Sequence, residues 1–387
     1  MKKPLHGKGA LVNPHNRFDK HVYQASIYDD LPPDQPTGKV QVTEVFPKTI
    51  VNPVPSPDLP FDYSMNPYQG CEHGCSYCYA RPTHEYWGFN AGNDFESRIM
   101  VKKNAPQLLE KFFQKKNYLA SPIVLSGNTD CYQPIERQLK ITREILEKFL
   151  LYKHPVAIIT KNALVLRDLD ILEQLNALNL IRVNISITSL NEVLRRQLEP
   201  RTSTAAQRLN AVQQLSAKGI PVNVMMAPII PMLNSSEVLP LAKAVSEAGA
   251  KSMGYNMVRL NQSVLPVFTA WLEHYYPDAK DRILGHIHHI QGGSPMAQSS
   301  IDTSKNIGDV PSDFLNEQLH KSTQGFRPQG TYSSQKFGER RRGTGKMAES
   351  IKATIELAKK KYFSQEFIEP LSTQHFNPHP QQFRLDL

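Results

Sequence analysis

Cysteine and tryptophan are scarce in this 387-residue chain, at four and two residues, and no apolar run is long enough to span a bilayer as a helix. So few cysteines in so long a chain exclude a disulfide scaffold. The N-terminal stretch MKKPLHGKGALVNPHNRF is basic but lacks the apolar core of a secretory signal. The expectation is a cytoplasmic protein with no membrane span, its thiols kept reduced. Also missing are a Gly-rich dinucleotide fingerprint after any strand-like segment, a P-loop and a serine-hydrolase elbow. These absences set aside nicotinamide, nucleotide-triphosphate and serine-nucleophile chemistry.

The remaining composition is globular, 40% hydrophobic and 21% charged, and sufficient for a large core. A net charge of +9 and a pI near 9.2 point weakly to an anionic partner. Residues 1–60 are rich in Pro, Asn, Asp and Gly and read as an extended N-terminal arm. From there a rhythm sets in. Strand-like FDYSMNPYQG, SPIVLSG, PVAIIT, IRVNISIT, IPVNVMMAPII and KSMGYNMVRL are separated by helix-length segments. IERQLKITREILEKFLLYK, for instance, carries Leu139, Ile145, Leu146, Phe149 and Leu150 on one face, and TAAQRLNAVQQLSAKG ends at a plausible helix-terminating Gly219. Six βα units predict a parallel sheet, of α/β class, arranged as a partial (β/α)6 TIM-like barrel over residues 61–262. Residues 263–387 read as a helical C-terminal extension, opened by the helical VFTAWLEHYYPDAKDRILGHIHHI.

Three of the four cysteines fall in one loop, NPYQGCEHGCSYCYARP: Cys71, Cys75 and Cys78, spaced C-x3-C-x2-C. Thiolates this close suit one metal centre. A structural zinc would need a fourth ligand, for which His73 or His84 is available. A [4Fe–4S] cluster held by only three cysteines would leave one iron open to a small chelating molecule. A metal-stabilised binding protein without catalysis is the rival from another class. His286, His288 and His289 do not share a helix face and are a poor metal site. The run GERRRGTGK, with Arg340, Arg341, Arg342 and Lys346, could meet phosphates of nucleic acid or anchor the C-terminal extension.

The cysteine loop, with aromatic Tyr77 before the last cysteine, resembles the signature of the radical S-adenosylmethionine (SAM) superfamily. The resemblance extends over roughly residues 60 to 290. GNTD, TKN, LEPRT and MMAPIIPMLN are most similar to the spore photoproduct lyase-like, or DNA repair photolyase-like, subgroup. It implies a radical SAM enzyme, a lyase by subgroup, whose [4Fe–4S] cluster on Cys71, Cys75 and Cys78 binds SAM. Reductive cleavage of SAM would yield a 5′-deoxyadenosyl radical that abstracts hydrogen from substrate. An electron donor such as a flavodoxin or ferredoxin is implied, as is repair or modification of nucleic acid as one use. The residues carried over to SAM are Asn128, Thr129 and Asp130 for the amino group and Lys161 for the carboxylate. Ser186 and Arg201 are carried to the ribose and carboxylate, and Tyr77 to the adenine. In the lyase a hydrogen-donating cysteine precedes the corresponding segment, whereas here Cys131 follows Asp130.

Overall fold

Short β-branched segments at the predicted places pair side by side in a computed structural model, which describes residues 7–18, 40–293, 332–334, 336–363 and 368–380. The strands are β1 (Gln41–Val45), β2 (Val51–Pro53), β3 (Tyr63–Met65), β4 (Tyr68–Gln69), β5 (Arg98–Lys102), β6 (Ile123–Leu125), β7 (Val156–Thr160), β8 (Ile181–Ser186), β9 (Val222–Ile229) and β10 (Ser252–Met257). Among the described residues the main sheet has the order β10-β9-β8-β7-β6-β3-β2, parallel from β3 to β10 with β2 antiparallel at the edge. The six predicted parallel strands are therefore present. β10 and β2 are the two edges and do not pair with each other, so the barrel is open on one side.

The helices follow the same rhythm: α1 (Asn93–Ser97), α2 (Ala105–Phe113), α3 (Glu136–Leu139), α4 (Ile141–Leu151), α5 (Leu169–Asn176), α6 (Glu192–Leu198), α7 (Ala205–Ala217), α8 (Val238–Glu247), α9 (Leu265–Tyr275), α10 (Lys280–Ile290), α11 (Glu339–Arg342) and α12 (Gly345–Tyr362). α7 starts in a capping box, in which the Thr204 side chain and Gln207 satisfy each other's backbone N–H groups. It is followed by Gly219 at φ +72°, the left-handed terminator expected there.

Burial alternates along the strands. Val183, Ile185, Val222, Val224 and Met226 are buried in the core, while Asn184, Asn223 and Ser252 lie on the other face. Those three form a ladder across the sheet. Asn223 Nδ2 donates to Asn184 Oδ1 at 3.0 Å, and the Ser252 hydroxyl donates to Asn223 Oδ1 at 2.7 Å. One face thus packs on helices and the other presents polar groups to the barrel interior.

Three expectations change. The segment 135–153, read as one helix, is broken at Lys140, where φ is +54°. The buried Glu136 carboxylate accepts the Thr142 N–H and the Arg167 guanidinium, and this ties the turn inward. The helical run from 267 splits into α9 and α10 around Pro277, which cannot extend the ladder. The N-terminal arm contributes structure: β1 joins β5 in a small three-stranded sheet, and β2 is the seventh strand of the main one. Residues 1–6 and 19–39 of that arm, and 294–331, 335, 364–367 and 381–387 of the C-terminal extension, lie outside the described residues. Among the described residues, no helix is long and apolar enough to cross a membrane.

Candidate metal and cofactor centre

The cysteine loop leaves β4 through Gly70 at φ +81°, where a Cβ would lie 2.8 Å from the Arg98 carbonyl. Only glycine fits that backbone. The loop is then pinned by its own amides. Cys71 N–H donates to Phe95 O at 2.8 Å and Ser76 N–H to Leu198 O at 3.0 Å. Arg81, wholly buried, donates to the Cys75 carbonyl from Nε at 3.1 Å and Nη2 at 2.7 Å, to Ala91 O and Gly92 O, and pairs with Glu96. The other bonds of the Glu96 carboxylate come from the N–H groups of Gly9, at 3.0 Å, and Ala10, at 2.7 Å. The N-terminal segment therefore crosses the loop as a strap. The crossing is so close that a Cβ on Gly9 would sit 1.6 Å from the Gly74 carbonyl oxygen.

All three loop cysteines are free; Cys71 and Cys75 are buried and Cys78 is half-buried. Burial, with the Asp130 charge added, pushes the Cys71 thiol up to about 12, and burial raises Cys75 well above its ordinary value. Thiols in such surroundings lose their protons to a bound metal's own charge rather than to water. Lys161 supplies the matching positive charge. Burial works against its ammonium, yet Cys75, Glu199 and Asp130 together hold its pKa above the ordinary lysine value. Three soft donors on a rigid loop beside a fixed cation fit a thiolate-held iron–sulfur cluster.

Among the described residues, the candidates for a closing zinc ligand do not gather with the cysteines about one ion. His73 Nδ1 lies 3.4 Å from Asp130 and its Nε2 3.4 Å from Asn162, and burial lowers its pKa to about 4. His84 is buried with its ring against Phe89 and Phe95. Among the described residues, no group of three or more His, Cys, Asp and Glu side chains is gathered about a single-ion position. That includes His286, His288 and His289, of which His288 is buried against Tyr332.

The residues predicted for SAM divide into two kinds. Lys161, just past the C-terminal end of β7, is within electrostatic reach of Cys75 and Cys78. Asp130 is a brace: its carboxylate accepts from Thr160 Oγ1 at 2.8 Å, Tyr132 N at 2.9 Å and Lys161 N at 2.7 Å. Asn128 and Thr129 are held through their amides by Asn66 Oδ1, and the Thr129 hydroxyl donates to Tyr68 O at 2.8 Å. Arg201 pairs with Glu72 at 3.2 Å, and its amide donates to His73 O, which brings it to the cysteine loop. Ser186 ends β8, and its carbonyl accepts from Arg208 at 2.7 Å. Tyr77 is buried, and its hydroxyl donates to Glu199.

Asn66, Glu96 and Arg208, which carry this architecture, gave no sequence signal, and Glu199 falls inside LEPRT, where the signal was the arginine. Glu199 and Arg208 form a wholly buried pair at 2.8 Å. Burial alone would raise the Glu199 pKa, but Arg208, Lys161 and the hydroxyls of Thr188 and Tyr77 bring it down to about 2. Cys131 is fully buried in the core, with burial raising its thiol well above the usual value. The basic run turns inward. Arg340 pairs with Asp58 at 2.5 Å, and Arg341 donates to Asp58 O at 2.5 Å and Asn256 Oδ1 at 3.1 Å.

A three-cysteine loop at the C-terminal mouth of an open parallel α/β barrel defines a class of cofactor-dependent protein. The sequence profile of the Radical SAM superfamily matches residues 65–245, and the chain belongs to that superfamily. It is similar to an uncharacterised protein of Mycobacterium tuberculosis (33% identity over 242 residues, 62% of this chain and 71% of that protein). It is also similar to an uncharacterised protein of Methanocaldococcus jannaschii (29% identity over 246 residues, 64% of this chain and 88% of that one). Among solved structures it shares its fold with spore photoproduct lyase complexed with dinucleoside spore photoproduct. That match has a TM-score of 0.51 and 16% identity, covering 83% of this chain and 79% of the lyase. The superfamily implies a [4Fe–4S] cluster and SAM as cofactors.

Proposed function

We propose that this protein is a radical SAM enzyme whose cluster is held by Cys71, Cys75 and Cys78 and whose SAM lies over the barrel mouth. The observation that carries the reading is the juxtaposition of three free thiols with Lys161 on one braced loop-and-strand-end platform. When bound and reduced, the cluster would supply the one electron needed for reductive cleavage of SAM, the chemistry that would start hydrogen abstraction from substrate. The chain's own residues do the rest. Lys161 attracts the SAM carboxylate, and Arg201, beside Glu72, is the second cation within reach of the loop. Asp130 fixes the Lys161 backbone and the His73 ring, so its role is to position them. Asn128 and Ser186 offer polar groups to the amino and ribose ends. Tyr77 is proposed to hold the loop through Glu199, with its ring at the cofactor's edge.

Residues 61–262 form the catalytic core in this reading, with the arm, 1–60, strapping the loop and the extension, 263–387, closing the open side. A one-electron donor such as a flavodoxin or a ferredoxin is required. The test is anaerobic reconstitution with iron and sulfide, reduction, and chromatography for 5′-deoxyadenosine. The expected result is a reduced, cluster-loaded protein that produces it slowly even without substrate. Zinc retention with no iron–sulfur absorbance would favour the metal-stabilised binding protein instead.

A further inference from the structure

The open side of the barrel holds a cavity of about 440 Å³. Its walls include the turn 57–60, Gly254, Tyr255 and three cations, Arg341, Arg342 and Lys359. Charge is unbalanced there. Asp58 is engaged by Arg340 at 2.5 Å and Glu356 by Lys359 at 3.3 Å. Arg341 donates to neutral acceptors, and Arg342 rests beside the Tyr255 ring, 6.0 Å from its centroid, with no carboxylate partner among the described residues. Nearby Arg259 donates to the Ser333 hydroxyl at 3.2–3.3 Å. Burial, with neighbouring arginines adding, holds Arg259 and Arg341 below the usual guanidinium value. Cations crowded in this way are relieved by an anion.

A second observation is independent of charge. Tyr255 is only 8% exposed, and among the described residues its hydroxyl has no hydrogen-bond partner of good geometry. Buried hydroxyls are normally satisfied, so an unpaired one in a cavity wall marks a place for a ligand atom. Gly254 keeps the floor open: a Cβ there would lie 2.5 Å from the Met225 sulfur.

We propose that this cavity takes the phosphomonoester of a small phosphorylated substrate, with Arg341 and Arg342 donating to its oxygens and Tyr255 supplying a hydroxyl. A phosphomonoester, with a charge of about −1.5 to −2 and three acceptor oxygens, matches two guanidiniums and a phenol better than a carboxylate does. The volume is that of a small-molecule site and excludes a nucleic-acid duplex. The substrate assignment rests on the radical SAM reading.

The experiment is calorimetric titration of the cluster-loaded full-length protein with inorganic phosphate, adenosine monophosphate and a short single-stranded oligonucleotide. Saturable binding of phosphate and the mononucleotide is expected, weakened about tenfold by Arg342→Gln. Tyr255→Phe removes only the hydroxyl that faces Arg342, so the fold survives and affinity falls severalfold. The proposal is overturned by absence of saturable binding, by affinities unchanged in both variants, or by tighter binding of the oligonucleotide than of the mononucleotide. The titration reads binding without turnover. Loss of SAM cleavage in a protein that still binds phosphate would therefore count against the radical SAM reading alone.

Discussion

Lys161, Glu199 and the three loop cysteines show how much a single side chain decides here. Replacing Cys71, Cys75 or Cys78 by Ala should each abolish the iron–sulfur absorbance. Cys131→Ala should preserve it and cost about 1–2 kcal/mol, the consequence of a small cavity in a packed core. Loss of the cluster in the Cys131 variant would make that thiol a ligand and contradict the three-cysteine assignment. Lys161→Ala should weaken SAM binding about tenfold or more, since a charge-assisted contact in a shielded site contributes about 1.5–3 kcal/mol. Equilibrium binding of SAM to the oxidised cluster measures this, and an unchanged affinity would remove Lys161 from the site. Glu199 gives a pH dependence. Its folded pKa, about 2, lies below that of an unfolded glutamate, so its stabilisation is present above about pH 4.5 and is lost as pH falls toward 2. The contribution is about 3 kcal/mol. Glu199→Gln should lower stability at neutral pH, because Arg208 is left buried without its counter-charge, and should flatten that acid limb in urea melts.

At the scale of elements, the strap of residues 7–18 and the loop of residues 70–80 behave as one unit joined through Glu96. Asn16 adds to the joint by donating to Glu85 O at 2.9 Å and Phe89 O at 3.1 Å. Gly9→Ala cannot be accommodated beneath the Gly74 carbonyl, so the strap must lift. The expected outcome is faster amide exchange across residues 71–78 and quicker bleaching of the cluster in air, with β7 to β10 unchanged. Exchange rates equal to wild type in that loop would show that the strap is not part of its support. The reading of 1–60 as an extended arm gave no sign of this pairing, because its contacts here are mostly with backbone groups and the carboxylates of Glu85 and Glu96. Such contacts leave no apolar period in the sequence.

Over the whole molecule, the C-terminal extension reaches back under the sheet. Arg182 donates to Glu369 O at 2.6 Å, Asn179 Nδ2 to Pro370 O at 2.9 Å, and Asn377 N–H to Tyr152 O at 3.0 Å. Phe376 packs edge-on to Phe113, Tyr118 and His154. Burial lowers the His154 pKa to about 3. A chain ending at residue 363 should lose that cover, and the His154 ring should titrate closer to the ordinary value of about 6.5. Proton NMR of the imidazole reports it directly; an unmoved titration would mean that the tail does not shield this end of the barrel.

The sequence by itself determined the local features. Alternation of βα segments, the glycine after α7, and three cysteines at one spacing all follow from rules that act within a few residues. The six parallel strands and the loop after the first of them were legible for that reason. Only the tertiary structure decided which charges would meet. Glu199 and Arg208 are nine residues apart in an ordinary helical region, yet they sit in one buried network with Tyr77 and Lys161. Asp58 and Arg340 are separated by 282 positions and close the open side of the barrel. Of the two readings of the basic run, phosphate contact or anchor, Arg340 and Arg341 act as the anchor, because the carboxylate and carbonyl of Asp58 hold them, while Arg342 stays exposed. Local spacing encodes elements and a three-cysteine loop; long-range pairing of buried charges depends on where the barrel brings its loops together.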